Sequence, residues 1–316
     1  MRGLRRALLA LPSLLAIGAA GPAQAPAPQL PTFRSSASLV SLNVTVQDTG
    51  AKYVSGLKPE DFAVFEDGVR QDVQFCESQS VPVDLIVLLD TSSSMSDKIG
   101  LVREAADGFL GTLRPGDRGA VVAFSDRVSV LQPLTVDRQP LTRAVASIKA
   151  YGATALDDAI YISLKEFGRA ARQSGEVRRQ AIAVLSDGDD TSSLVSFDDV
   201  LALARQMGVN IYTVGLHSTL EMKQAAGNTG RRYLSEGDYT LNTLARETGA
   251  LSYFPSVQQL KTVYASIAQE LAHQYSIGYT PANQELDGRF HRILVQVVSR
   301  PGLRPRTRPG YTAAGN

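Results

Sequence analysis

The sequence predicts an α/β fold: a doubly wound, mostly parallel sheet flanked by helices, with a small β domain built from the segments on either side of it. Three observations carry that prediction. From Val81 to about residue 274, short continuous apolar runs alternate with amphipathic stretches of helical period, the pattern of βαβ units whose strands are buried on both faces. On both flanks the period drops to two, as in half-buried strands. The chain has 316 residues, 44% of them hydrophobic and 20% charged, enough apolar material for one large domain or two ordinary ones.

The elements follow in order. In "SLVSLNVTVQD", Val40, Leu42, Val44 and Val46 alternate with Leu39, Ser41, Asn43 and Thr45, which predicts a half-buried strand. "FAVFEDGVRQDVQF" reads as two short strands around the turn Glu66-Asp67-Gly68. "VDLIVLLD" (83–90) is a strand buried on both faces, and "KIGLVREAADGFLGTLR" is a helix with Leu101, Ala105, Phe109 and Leu113 on one side, stopped by Pro115-Gly116. "GAVVAFS" is a second buried strand and "RVSVLQPL" a third, at an edge. Helices are expected around "LTRAVASIKA" and "ALDDAIYISLKEFGRAA", then the strand "AIAVLSDG", the helix "FDDVLALARQMG" and the strand "NIYTVGL". After a polar stretch at 218–238 come the helix "TLNTLARETG", the short strand "LSYF", and a last helix, "VQQLKTVYASIAQELAHQ", with Leu260, Val263, Tyr264, Ile267 and Leu271 on one face. "YSIGYTP" and "HRILVQVVS" are strands, and "RPGLRPRTRPGYT" is a basic extended end. The segments 33–80 and 274–313 are expected to pair into one β domain around the α/β unit at 82–272; two independent β appendages are the alternative. No internal repeat is visible.

The first 25 residues differ from the rest. Arg2, Arg5 and Arg6 precede an apolar run from Ala7 to Ile17, and small residues end in Ala23-Gln24-Ala25. This is the three-part pattern of a secretory signal peptide, with an apolar run short for a membrane span. Residues 26–32 continue a Pro/Ala linker. Removing residues 1–25, with three Arg and no acid, takes the formal charge from +1 to −2. Neither value favours nucleic acid as a partner, and no later stretch is long and apolar enough to span a membrane. The single cysteine, Cys76, has no intramolecular disulfide partner. A secreted or periplasmic location is expected.

In an open α/β sheet, ligands sit outside the carboxyl ends of the strands, and Asp90 and Asp187 each terminate a buried strand. Around that edge the sequence collects oxygens: Asp90, Ser92 and Ser94, spaced D-x-S-x-S; Thr154 in "YGATALDD"; and Asp187 in "LSDGDDTSS". Hydroxyls and carboxylates without Cys or His suit Mg²⁺, Mn²⁺ or Ca²⁺ better than Zn²⁺. Each residue also has a plainer reading. Asp90 could cap a turn, Ser92 and Ser94 could be turn residues, Thr154 with Asp157 fits a T-x-x-D capping box, and Asp187-Gly188 is a common turn pair. Asp189 and Asp190 read as solvated loop acids or as groups behind the ligands.

These motifs, with "RPGDRGAVVAFSDRV" (114–128), "GATALDDAI" (152–160) and "AIAVLSDGDD" (181–190), resemble a von Willebrand factor type A domain over about residues 82–272. The flanks "GLKPEDFAVFEDG" and "YSIGYTP…PGY" are similar to a bacterial secreted subgroup that carries this domain. The resemblance implies a metal-ion-dependent adhesion site whose ligands map to Asp90, Ser92, Ser94, Thr154 and Asp187. It implies a divalent cation, Mg²⁺ before Mn²⁺ or Ca²⁺. It further implies serines that bind directly, carboxylates that often act through water, and an open position completed by a carboxylate of a protein partner. In some relatives a shift of the last helix couples to the site.

The expected function is therefore a non-enzymatic binding module with no catalytic residue. The alternatives are a metal-dependent hydrolase or phosphotransferase using Asp90, and a scaffold without metal-dependent binding. Haloacid-dehalogenase phosphotransferases need a second Asp two positions after the first, where this chain has Ser92. G-x-S-x-G, H-E-x-x-H and P-loop patterns are missing from the sequence, and His217, His273 and His291 are scattered.

Overall fold

A computed structural model describes residues 39–78, 81–174, 178–187, 189–216, 235–283 and 287–313. The expected signal peptide, the 26–32 linker and His217 lie outside the described residues.

The N-terminal flank forms β1 (Val40–Gln47), β2 (Phe62–Glu66), β3 (Val69–Gln71) and β4 (Val73–Glu77). β2 and β3 make a hairpin closed by Asp67 and Gly68, with φ of 49° and 83°. Two positive φ values are what a two-residue turn needs to match the twist of its strands, and Asp and Gly are among the residues that accept them.

The α/β unit runs β5 (Val83–Asp90), α1 (Ile99–Leu110), β6 (Arg118–Phe124), β7 (Val128–Thr135), α2 (Arg138–Ser147), α3 (Leu156–Ser174), β8 (Arg179–Ser186), α4 (Phe197–Met207), β9 (Asn210–Gly215), α5 (Glu236–Glu247), β10 (Ser252–Tyr253) and α6 (Leu260–His273). The sheet order is β10-β9-β8-β5-β6-β7. Its neighbours are parallel except β7, which joins β6 antiparallel at the edge. The apolar run of β5 divides by alternation. Leu85, Val87 and Leu89 pack in a core with α1, α2 and α6, while Ile86 and Leu88 pack in a second core with α3, α4 and α5. The chain leaves β5 for β6 on one side and later returns to β8 on the other. The carboxyl end of β5 is therefore the point where strand order reverses, and the neighbouring loops part there to leave a crevice.

The C-terminal flank forms β11 (Tyr275–Tyr279), β12 (Phe290–Val297), β13 (Arg304–Arg306) and β14 (Gly310–Thr312). Two antiparallel sheets result, β13-β1-β11-β4 and β14-β12-β2-β3, each drawing strands from both flanks. They share one apolar cluster, in which Val40, Leu42, Val44 and Val46 meet Phe62, Val64, Tyr275, Ile277, Ile293 and Val295.

The structure departs from the sequence reading in four places. The buried face of α1 is Val102, Ala105, Ala106, Phe109 and Leu110; it keeps Ala105 and Phe109 of the expected stripe, and Leu113 packs against the same core, while Leu101 is exposed. α2 begins at Arg138, where the Asp137 carboxylate accepts from Gln139 N at 3.0 Å. α5 begins at Glu236, because Ser235 and Asp238 cap it reciprocally. The basic extended end contributes a short strand to each flanking sheet.

Candidate metal centre

β5 carries two buried aspartates with opposite surroundings. Asp84, near its amino end, meets Arg118 Nη2 and Arg178 Nε, each at 2.6 Å. Asp90, at its carboxyl end, is 0% exposed and has no cationic partner among the described residues. Its Oδ1 accepts from Ser92 N at 2.8 Å and its Oδ2 from Ser186 Oγ at 2.6 Å. Burial pushes the Asp90 carboxyl above the usual carboxylate range; bonds from Ser186 and Ser92 pull it down, and Asp187 adds repulsion.

The loop after β5 turns at once into a short 3-10 turn, Ser93–Met95, anchored by the fully buried Met95. This turn sets Ser92 Oγ and Ser94 Oγ 2.9 Å apart, and Ser94 Oγ donates to Asp187 Oδ1 at 2.7 Å. Asp90, Ser92, Ser94 and Asp187 thus lie along one hydrogen-bonded path. Lys98 Nζ pairs with Asp187 Oδ2, and the Asp187 side chain is almost wholly buried.

The loop bearing Thr154 is brought alongside by its backbone. Tyr151 N donates to Thr91 O at 2.7 Å, and Ser93 N and Oγ both donate to Gly152 O at 3.1 Å. Gly152 has φ +77°, and a Cβ there would lie 2.7 Å from Asp126 Oδ1 of the β6–β7 turn, so this position favours glycine. Thr154 is buried, and its carbonyl accepts from Thr191 N and Ser192 N at 2.9 and 3.1 Å. The T-x-x-D capping reading of Thr154 does not describe this helix start: Asp157 N donates to Asp190 Oδ2 at 2.9 Å. Asp190 also accepts from Ser192 N and Ser193 N, and Asp189 Oδ1 accepts from Gly237 N at 2.7 Å. These two acids hold loops and the start of α5.

The five oxygen-bearing residues fit a hard divalent cation. Their donors are carboxylate and hydroxyl oxygens, and a buried Asp90 carboxyl without a counter-charge is the group such an ion would neutralise. Three contributors were missed in the sequence. Ser186 stood in the quoted strand end, next to Asp187, but only strand pairing brings it to Asp90. Lys98 read as a helix-start residue, and its reach to Asp187 depends on packing. Ser93 lies outside the path of oxygens and ties the first loop to the second.

The fold sets an oxygen-lined crevice at the switch point of a mostly parallel α/β sheet. The family is shown by a direct match: residues 84–265 fit the von Willebrand factor type A domain, and the chain belongs to that family. Relatives include a UPF0353 protein of Mycolicibacterium paratuberculosis, 24% identical over 228 residues that make up 67% of each chain. An uncharacterized protein of Borreliella burgdorferi is 27% identical over 190 residues, 55% of this chain and 54% of its own length. An uncharacterized protein of Synechocystis sp. is 30% identical over 230 residues, 70% of this chain and 49% of its own. The matches thus span from about half to two thirds of these relatives' length. A solved von Willebrand factor type A protein from Catenulispora acidiphila shares the fold, with TM-score 0.52 and 12% identity over 89% of this chain and 76% of that one.

Proposed function

We propose that this chain is a secreted or periplasmic, non-enzymatic binding module that holds a divalent cation, Mg²⁺ in the first instance, and grips an acidic group of a protein partner through it. Asp90, Ser92, Ser94, Thr154 and Asp187 would hold the ion, which would supply a strongly electrophilic point for an incoming carboxylate. The observation that carries this reading is Asp90: fully buried, at the switch point, held among the described residues by hydroxyl and N–H groups alone, on the strand where Asp84 has two guanidinium partners.

The protein's own groups would do the positioning. Ser186 and Ser92 fix the Asp90 carboxyl, Lys98 and Ser94 hold the two oxygens of Asp187, and Ser93 keeps the Thr154 loop against the first. On the Thr154 loop, Tyr151, whose N–H bonds Thr91 O of the first loop, stands 53% exposed, a ring that would bury against a partner. Among the described residues no helix is long and apolar enough to cross a membrane. The location rests on the basic start and short apolar run of residues 1–25.

The test uses wild-type and Asp187→Ala chains as baits for envelope proteins, in Mg²⁺ and in chelator. The expected result is a partner retained by wild type in Mg²⁺ alone. A partner held equally in chelator, or equally by Asp187→Ala, contradicts the proposal.

A further inference from the structure

We infer that the flanking β sheets carry a second cation site, for a borderline divalent ion of the zinc class, made by Glu66, Asp67 and His291. It lies where the β2–β3 turn meets the start of β12, among residues the adhesion-type site does not use. The three residues each offer one ligand atom, and these atoms all lie within 4.8 Å of one another. His291 Nδ1 is 2.8 Å from Asp67 Oδ2 and 3.8 Å from Glu66 Oε1. Two ligands of a tetrahedral Zn²⁺ with bonds of about 2.0–2.1 Å stand ~3.3 Å apart, a value these two distances bracket.

Each ligand atom is aimed by a bond made through the other end of its group. Glu66 Oε2 accepts from Tyr279 Oη at 2.6 Å and Tyr311 Oη at 3.3 Å, so Oε1 is turned toward the imidazole. Asp67 Oδ1 accepts from Arg292 N at 2.8 Å, leaving Oδ2 on His291. His291 Nε2 lies 3.4 Å from Asp287 Oδ1, and its ring stacks on Tyr311. A carboxylate on the far nitrogen of a histidine fixes the tautomer whose near nitrogen is a ligand, the usual support around a protein-bound metal. Glu66 and His291 are 4% and 6% exposed, while Asp67 reaches solvent and leaves an entry path.

The charges make the same point. Two carboxylate oxygens converge on one imidazole nitrogen, an arrangement that either a proton on Nδ1 or a metal ion would hold together. One nitrogen and two carboxylate oxygens in a partly enclosed pocket suit Zn²⁺, Co²⁺ or Ni²⁺. Ca²⁺ takes six or more oxygens and Mg²⁺ an octahedral, largely hydrated shell.

The experiment titrates the chelator-treated full chain, carrying Asp90→Ala and kept in excess Mg²⁺, with Zn²⁺ by calorimetry and with Co²⁺ by visible absorption. The expected result is one equivalent of Zn²⁺ and a Co²⁺ spectrum of low coordination number. His291→Gln should abolish uptake, and Asp287→Asn should weaken it about 10–100-fold. If His291→Gln fails to fold, Asp67→Asn decides: Asn accepts the positive φ of that turn and can keep the bond from Arg292 N, yet it should lower affinity at least as much as Asp287→Asn. No zinc uptake, or uptake unchanged in His291→Gln and Asp67→Asn, overturns the inference and leaves the cluster as an ion-paired clasp. Because the assay runs without Asp90, its failure would not touch the proposal for the first site.

Discussion

Asp157 is a buried acid whose charge state should weigh on the stability of the ion-free protein. It is 7% exposed, its Oδ1 accepts no hydrogen bond among the described residues, and Asp190 and Asp158 stand beside it. Burial, with added repulsion from those two acids, raises its pKa to about 7. An unfolded Asp titrates near ~3.9, so between those values the folded chain holds a proton that the unfolded chain has lost. The contribution of Asp157 to stability is therefore fully present at and below the lower value and is lost as pH rises through about 7. Urea unfolding in chelator from pH 5 to 8 should show that decline in wild type and a flatter profile for Asp157→Asn, with the variant the more stable at pH 8. Equal slopes in the two chains would contradict this account. At this scale the sequence was informative about oxygens and poor about partners. Asp90, Ser92, Ser94, Thr154 and Asp187 could be proposed because D-x-S-x-S, a Thr before a helix start and an Asp at a strand end are local patterns. That Asp84 of "VDLIVLLD" is charge-paired and Asp90 is not left no local sign, since Arg118 and Arg178 reach only the first through the folded sheet.

Among the elements, α6 is tied to three distant segments through a single side chain. Glu270 is 0% exposed; its Oε1 accepts from Tyr212 Oη of β9 at 2.7 Å and its Oε2 pairs with Arg306 Nη2 of β13 at 2.6 Å. Tyr53 Oη of the N-terminal flank lies 3.4 Å from the same oxygen, and Gln274 Nε2 donates to Tyr212 Oη. Truncating one member of such a buried pair strands the other, at a cost on the order of 3–5 kcal/mol. Glu270→Ala should lose about that much stability in denaturant unfolding, and a loss under 1 kcal/mol would show the network to be slack. The apolar face of α6 was legible from its spacing of Leu260, Val263, Tyr264, Ile267 and Leu271. Glu270 was not, because an acid in a helix reads as exposed until a guanidinium from a distant strand is placed against it. The start of α5 escaped for a related reason: Ser235 and Asp238 look like loop residues until they are seen to cap each other's backbone.

For the whole molecule, both flanking sheets interleave strands from before and after the α/β unit. We propose that 33–80 and 274–313 act as one domain. Removing 274–313 would take β11 from beside β1 and uncover Val40, Leu42, Val44 and Val46. Limited proteolysis of that truncated chain should digest the N-terminal flank before the α/β unit. A flank that stays protected would show an independent appendage. Period-two alternation revealed that these segments are strands, but pairing between strands more than two hundred residues apart leaves no local trace, so the partners had to come from the structure. The most direct test of the central claim is a calorimetric titration of the chelator-treated full chain with Mg²⁺ and Mn²⁺, beside Asp90→Ala. The account predicts saturable binding of one ion in wild type and its loss in Asp90→Ala with the secondary structure intact. Absence of binding in wild type, or equal binding in both, would contradict it.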